Sequence, residues 1–95
     1  MAVRVRIPAH LRDVPGARAV VELPGQPATV AEALDALWRE LPAVRDRVMT
    51  ETGEVRQHIQ LFVGVESIRY TGGLATMIPE VSEIEISIVP AVSGG

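Results

Sequence analysis

The sequence predicts an α+β fold, a mixed β-sheet packed on one main α-helix with a short second helical segment. Three observations predict it. Strand-like alternation opens and closes the chain at Val3-Arg4-Val5-Arg6-Ile7 and at Glu83-Ile84-Glu85-Ile86-Ser87-Ile88. Between them, Thr29-Val30-Ala31-Glu32 has the form of a helix-opening capping box, followed by an apolar stripe of helical period. The remaining segments are short apolar runs punctuated by Gly and Pro.

Taken in order, Val3, Val5 and Ile7 give the first strand an apolar face, Arg4 and Arg6 a charged one, and Pro8 stops it. Residues 9–16 form a loop marked by Pro15-Gly16, which His10 and Leu11 pack on the body. Residues 17–23 read as a second strand in a hairpin with the first, closed by Pro24, Gly25 and Pro27. The helix starts after Thr29 and buries Val30, Ala33, Leu34, Leu37, Trp38 and Leu41. Asp35 and Arg39 pair on its exposed side, and Pro42 ends it. Val44, Val48 and Met49 mark the short second helical segment. Ile59, Leu61, Val63 and Val65 alternate with Gln60, Phe62 and Gly64 in a third strand, and residues 67–70 form a short fourth. Thr71-Gly72-Gly73 is a tight turn whose glycines supply positive φ. Because the helix acts as a crossover, the first and last strands run parallel and adjacent at the sheet centre, and Arg4 and Arg6 face Glu83 and Glu85.

Ninety-five residues, 47% of them apolar, bound the chain to one domain with a modest aliphatic core. Without cysteine there is no disulfide, thiol nucleophile or thiolate metal site. A net charge of −3 with scattered basic residues gives no nucleic-acid footprint. No apolar run reaches membrane-spanning length and residues 1–8 form no targeting segment, so the expected location is cytoplasmic. All nine basic side chains are arginine; a GC-rich genome accounts for that bias, and it leaves no ε-amine in the chain. His10 and His58 are isolated, with no metal-ligand spacing and no nucleophile partner, and read as surface or packing residues. Gly72-Gly73 lacks the spacing of a phosphate-binding loop. The chain is therefore expected not to be an enzyme, and to bind no cofactor or metal of its own.

The chemistry sits at the carboxyl terminus. The last strand meets Pro90, which cannot donate to a ladder, and Ala91-Val92-Ser93-Gly94-Gly95 has no further hydrophobic period. The expected organisation is a folded domain over 1–90 and a flexible tail over 91–95. A tail of small residues is also what an ordinary frayed end or an expression scar looks like. Read functionally, two glycines without Cβ carry the α-carboxylate of Gly95 through a narrow site on another protein.

Leu11-Arg12 after a first-strand proline, Arg69-Tyr70-Thr71-Gly72-Gly73-Leu74-Ala75-Thr76 and Pro90-Ala91-Val92-Ser93-Gly94-Gly95 carry a resemblance across essentially the whole chain. It resembles the ubiquitin-like β-grasp sulfur carriers of the MoaD/ThiS superfamily, most closely their cysteine-biosynthesis branch. The Gly-Gly-Leu-Ala-Thr run is the most specific of these features. Two positions depart from the pattern: Glu80-Val81-Ser82-Glu83 replaces an Asp-Gly-Asp type turn, and Ser93 stands where alanine is commoner.

The resemblance implies that an adenylating enzyme related to ubiquitin-activating enzymes uses ATP to form an acyl adenylate at Gly95, which sulfide or a persulfide converts to a thiocarboxylate. In the cysteine branch it further implies a pyridoxal-phosphate synthase working on O-phosphoserine and a zinc metallopeptidase that releases the product. Pro90, Ala91, Val92, Ser93 and Gly94 would enter the partner's active site. Phe62 and Tyr70, large rings expected on the sheet face away from the helix, are the candidate docking surface. Two other readings stand beside the carrier of sulfur for cysteine, molybdopterin or thiamine synthesis. One is a protein modifier joined through Gly95, the other a plain β-grasp binding domain.

Overall fold

The computed structural model describes residues 2–80 and 83–90. Five strands, β1 (Ala2–Arg6), β2 (Val20–Leu23), β3 (Ile59–Val63), β4 (Glu66–Ser67) and β5 (Glu83–Pro90), form one sheet in the order β2-β1-β5-β3-β4. Two helices, α1 (Val30–Glu40) and α2 (Pro42–Val48), follow β2. As expected, β1 and β5 are parallel at the centre, with Val3 opposite Ile84 and Val5 opposite Ile86; the other pairs are antiparallel.

One face of the sheet supplies Val3, Val5, Val21, Leu23, Ile59, Leu61, Val63, Ile86 and Ile88, all buried, and α1 covers it with Val30, Ala33, Leu34 and Leu37. Trp38 is only half buried at the edge of this core. Leu11 anchors the first loop to the body, whereas the His10 side chain is exposed and contributes only its carbonyl, which accepts from Arg47 Nη2 at 3.1 Å. Arg4 pairs with Glu83, and Arg6 forks onto Glu85 at 3.1 and 3.3 Å. These pairs are more than a third exposed, so each stabilises by about 0–1 kcal/mol and serves register more than stability.

The helix start follows half of the capping-box expectation. The Glu32 amide donates to Thr29 Oγ1 at 3.2 Å, but the Glu32 carboxylate accepts from the Thr29 hydroxyl at 3.4 Å. The backbone around Thr29 instead pairs with segment 76–78: Val30 N–H donates to the Thr76 carbonyl at 3.0 Å and Ile78 N–H to that of Ala28 at 2.8 Å. Losing a cap of this kind costs about 1 kcal/mol. Thr29→Ala is therefore expected to lower the thermal midpoint by about 4–8 °C, read by circular dichroism.

Four sequence expectations need correction. Residues 17–19 are not strand, because Ala17 N–H closes a turn onto the Val14 carbonyl and only Val20–Leu23 joins the ladder. Asp35 and Arg39 form no ion pair; Arg18 approaches Glu40 at 3.9 Å instead. Val65 does not continue β3. Gly64 adopts φ 61°, so Gly64-Val65 makes a two-residue hairpin turn that sets Val63 opposite Glu66 and leaves Val65 94% exposed. The fourth strand accordingly ends at Ser67, whose Oγ accepts from Arg69 N–H at 3.3 Å and opens a single 3₁₀ turn over Ile68–Tyr70.

Candidate functional site

Strand β5 fixes where the tail departs. Its last residues, Val89 and Pro90, are exposed and pair with Gln60 and Ile59 of β3. Pro90 has no N–H to offer, which suits the final position of a strand. Ala91, Val92, Ser93, Gly94 and Gly95 lie outside the described residues, as do Val81 and Ser82 of the turn before β5.

The outer face of the sheet carries Phe62, whose partner Ser87 lies about 10 Å back along β5 from Pro90. Phe62 points opposite to buried Leu61 and Val63, is half buried, and lies between Ser87 of β5 and Ser67 of β4. It follows Gln60 by two residues on the same face, about 7 Å along the strand from the row that holds Val89. Tyr70 is 84% exposed, and Phe62, Val65 and Tyr70 line one shallow concavity with Glu66, Ser67 and Thr71. The sequence reading placed the two rings on this surface and missed Val65. Its signal was Gly64, a glycine at the first central position of a two-residue turn between Val63 and Glu66.

The Gly-Gly-Leu-Ala-Thr run follows Tyr70 and Thr71 directly. Gly72 and Gly73 adopt φ 121° and 63°, which turns the chain back so that the buried Thr76 hydroxyl donates to the Gly73 carbonyl at 2.6 Å. The Thr71 hydroxyl lies 2.9 Å from that of Thr76, one residue beyond Tyr70. Since the Thr76 carbonyl also caps α1, the segment bearing Tyr70 is tied to the helix start. His10 and His58 are both exposed, and among the described residues no three His, Asp or Glu side chains gather to hold a metal.

The sequence profile of the ThiS family matches residues 5–95, which includes the Gly-Gly end. The chain belongs to the ThiS family. It is 31% identical over 97 aligned positions to the sulfur carrier protein CysO of Mycobacterium tuberculosis, covering the whole of both chains. It is 39% identical over 88 positions to small archaeal modifier protein 1 of Haloferax volcanii, covering 92% of this chain and 93% of that one. Among solved structures, a chain of the Amycolatopsis orientalis BexX/CysO complex superposes with a TM-score of 0.82 at 32% identity, covering 99% of this chain and all of the other.

The fold of this ThiS family member is thus the ubiquitin-like β-grasp, as the resemblance implied. The two relatives named above are a sulfur carrier protein and a small modifier protein. Among the described residues, no helix is long and apolar enough to cross a membrane.

Proposed function

We propose that this ThiS family chain is a cytoplasmic sulfur carrier whose reactive group is the Gly95 carboxylate, and that its sulfur goes to cysteine made from O-phosphoserine. The observation that carries the reading is the family match running through residue 95, with CysO among the full-length relatives. A carboxylate is a poor electrophile until it has a good leaving group. A carboxylate oxygen of Gly95 attacks the α-phosphorus of ATP on an E1-like adenylating enzyme, and pyrophosphate leaves. Sulfide then bonds to the acyl carbon, the bond to AMP breaks, and a thiocarboxylate remains. On a pyridoxal-phosphate-dependent cysteine synthase, that sulfur adds to an aminoacrylate; an acyl shift from sulfur to nitrogen leaves cysteine in amide linkage to Gly95, and a zinc metallopeptidase hydrolyses the amide. The carrier binds none of these cofactors. It contributes a body for docking and a tail, Pro90 to Gly95, for delivery.

Intact-protein mass spectrometry after incubation with ATP, sulfide and an adenylating enzyme tests the reading. Replacement of one oxygen by sulfur within the Gly94-Gly95 peptide is expected, and transfer to cysteine once O-phosphoserine and its synthase are added. If no exchange occurs with an activator that loads CysO, the reading fails. The similarity to small archaeal modifier protein 1 favours a second use of the same activated end, amide formation with a lysine of another protein. Recovery of Gly95 in isopeptide linkage to cellular proteins would identify it.

Docking is assigned to the outer face at Phe62, Val65 and Tyr70, apolar groups that line one shallow concavity in which Val65 and Tyr70 are exposed. Exposed aromatic anchors of interfaces contribute about 2 kcal/mol or more each on truncation. Phe62→Ala and Tyr70→Ala are therefore each expected to weaken binding to the adenylating enzyme by about thirtyfold, and together by several hundredfold, on the order of 4 kcal/mol, with an unchanged circular dichroism spectrum. Unaltered affinity in a titration would place docking elsewhere.

A further inference from the structure

We infer that the cleft beside the first half of β3 is a second docking surface, which takes a segment of a partner protein carrying large apolar side chains next to carboxylates. The inference does not depend on the chemistry of Gly95. It starts from a mismatch in the sheet. Strand β3 has five residues, but β4 pairs with the last two alone, Phe62 and Val63. Beside Ile59, Gln60 and Leu61 the sheet therefore gives way to a cleft of about 360 Å³, which residues 53–57, 67–69 and 73–74 also line. Cavities that hold ligands measure about 300–1,000 Å³, so this one has room for an apolar side chain and its neighbours.

The floor of the cleft is apolar. Ile59, Leu61 and Ile68 belong to the core, and Val55 and Leu74 pack against it. Two arginines, Arg56 and Arg69, line the same cleft. Arg4, Arg6, Arg18, Arg45 and Arg47 all pair with carboxylates, whereas Arg56 and Arg69 have no carboxylate partner among the described residues. Arg56 Nε donates to the Asp46 carbonyl at 2.9 Å, which leaves its two terminal nitrogens for a ligand. Glu54, which also lines the cleft, is engaged by the Thr52 hydroxyl, which donates to it at 3.1 Å. In a chain of net charge −3, two guanidinium groups beside an apolar floor are a local excess of positive charge. The backbone that carries them is held in place. Arg56 N–H donates to the Val48 carbonyl at 2.9 Å, the Arg56 carbonyl accepts from Ile59 N–H at 3.0 Å, and Arg69 N–H donates to Ser67 Oγ at 3.3 Å. A partner therefore has no loop to order on binding.

This combination complements an amphiphilic anion: the guanidinium fork matches a carboxylate, and the floor takes an aliphatic or aromatic side chain. A peptide segment is the occupant of this kind that the surface fits. Ser67 lines both the cleft and the concavity of Phe62, Val65 and Tyr70, and Arg69 directly precedes Tyr70. A chain seated in the cleft can therefore run on across the outer face, whereas a compact solute meets only the floor. Repulsion selects as well, because a lysine- or arginine-rich segment would be set against both guanidinium groups.

The test screens the full chain against a display library of random seven-residue peptides and titrates the best synthetic peptide into isotope-labelled protein by NMR. Enriched peptides are expected to place Asp or Glu beside Leu, Ile, Phe or Trp, with amide shifts on residues 53–57, 59–61 and 67–69. Arg56→Gln combined with Arg69→Gln is expected to weaken binding about tenfold, the scale of two partly exposed ion pairs. Replacing the peptide's carboxylates by amides is expected to cost a similar factor on the wild-type chain and nothing further on the double variant. That change leaves the protein as it is, and so decides the matter even where the arginine variant does not fold. Phe62→Ala with Tyr70→Ala is expected to change the affinity by less than about threefold, which separates this cleft from the docking face assigned above. A library that yields no binder, peptides enriched without carboxylates, an affinity that ignores the arginine and amide changes, or shifts confined to the outer face would each overturn the inference. So would self-association of the chain that the arginine variant abolishes, since the occupant would then be a second copy.

Discussion

Deleting Gly94 and Gly95 is expected to abolish thiocarboxylate formation while leaving the thermal midpoint within about 1 °C of that of the full chain, since chain ends generally contribute little to stability. Among the described residues, the last core side chain in sequence is Ile88; Val89 and Pro90 are already exposed. The shortened chain still ends in a carboxylate, on Ser93, so the loss does not come from removing the functional group. It comes from retracting it by two residues, about 7 Å. Misplacement by about 1 Å can already cost a hundredfold in rate, and 7 Å leaves the carboxylate outside any in-line geometry with the α-phosphorus. The measurement is adenylation by pyrophosphate exchange beside thermal denaturation of the same samples. Retained exchange would show that the tail is an ordinary frayed end, and a fall in the midpoint of several degrees would show that it is part of the fold.

The parts of this protein that were legible in the sequence are those encoded by short-range periodicity. The alternation of Val3-Val5-Ile7 and Ile84-Ile86-Ile88 gave both central strands, because a half-buried strand must repeat every two residues. Thr29 marked the helix start because few side chains can satisfy a first-turn amide, and the Glu32 amide does donate to it. What Glu32 itself does was not legible. Its carboxylate meets the Thr29 hydroxyl, and the neighbouring Val30 amide and Ala28 carbonyl bond segment 76–78, more than forty residues away. Val65 failed for the opposite reason: the period of two runs through it, but the positive φ of Gly64 breaks the strand first. The same turn brings Val65 to Phe62 and Tyr70, so the candidate docking surface was legible as two rings and not as a surface.

Ile86→Ala should separate body from tail in the other direction. Ile86 is fully buried on β5, in register with Val5 of β1 on one side and Val63 of β3 on the other. Removing its outer carbons leaves a cavity between two strands that are themselves locked by neighbours, a site with little freedom to collapse. Such truncations cost about 2–5 kcal/mol, from a total stability of about 5–15 kcal/mol for a domain of this kind. The thermal midpoint should therefore fall by about 10–25 °C. Below the lowered transition, however, the rate of Gly95 adenylation per folded molecule should equal that of wild type, because Ile86 faces the core while the proposed docking residues Phe62 and Tyr70 lie outside it. Val65→Ala is the matching control: at 94% exposure its truncation should change stability by less than about 0.5 kcal/mol. A loss below about 1 kcal/mol for Ile86→Ala would mean that the pairing of β1 with β5 is not where the fold is held. A changed activation rate at full folding would mean that the body does more than present the tail.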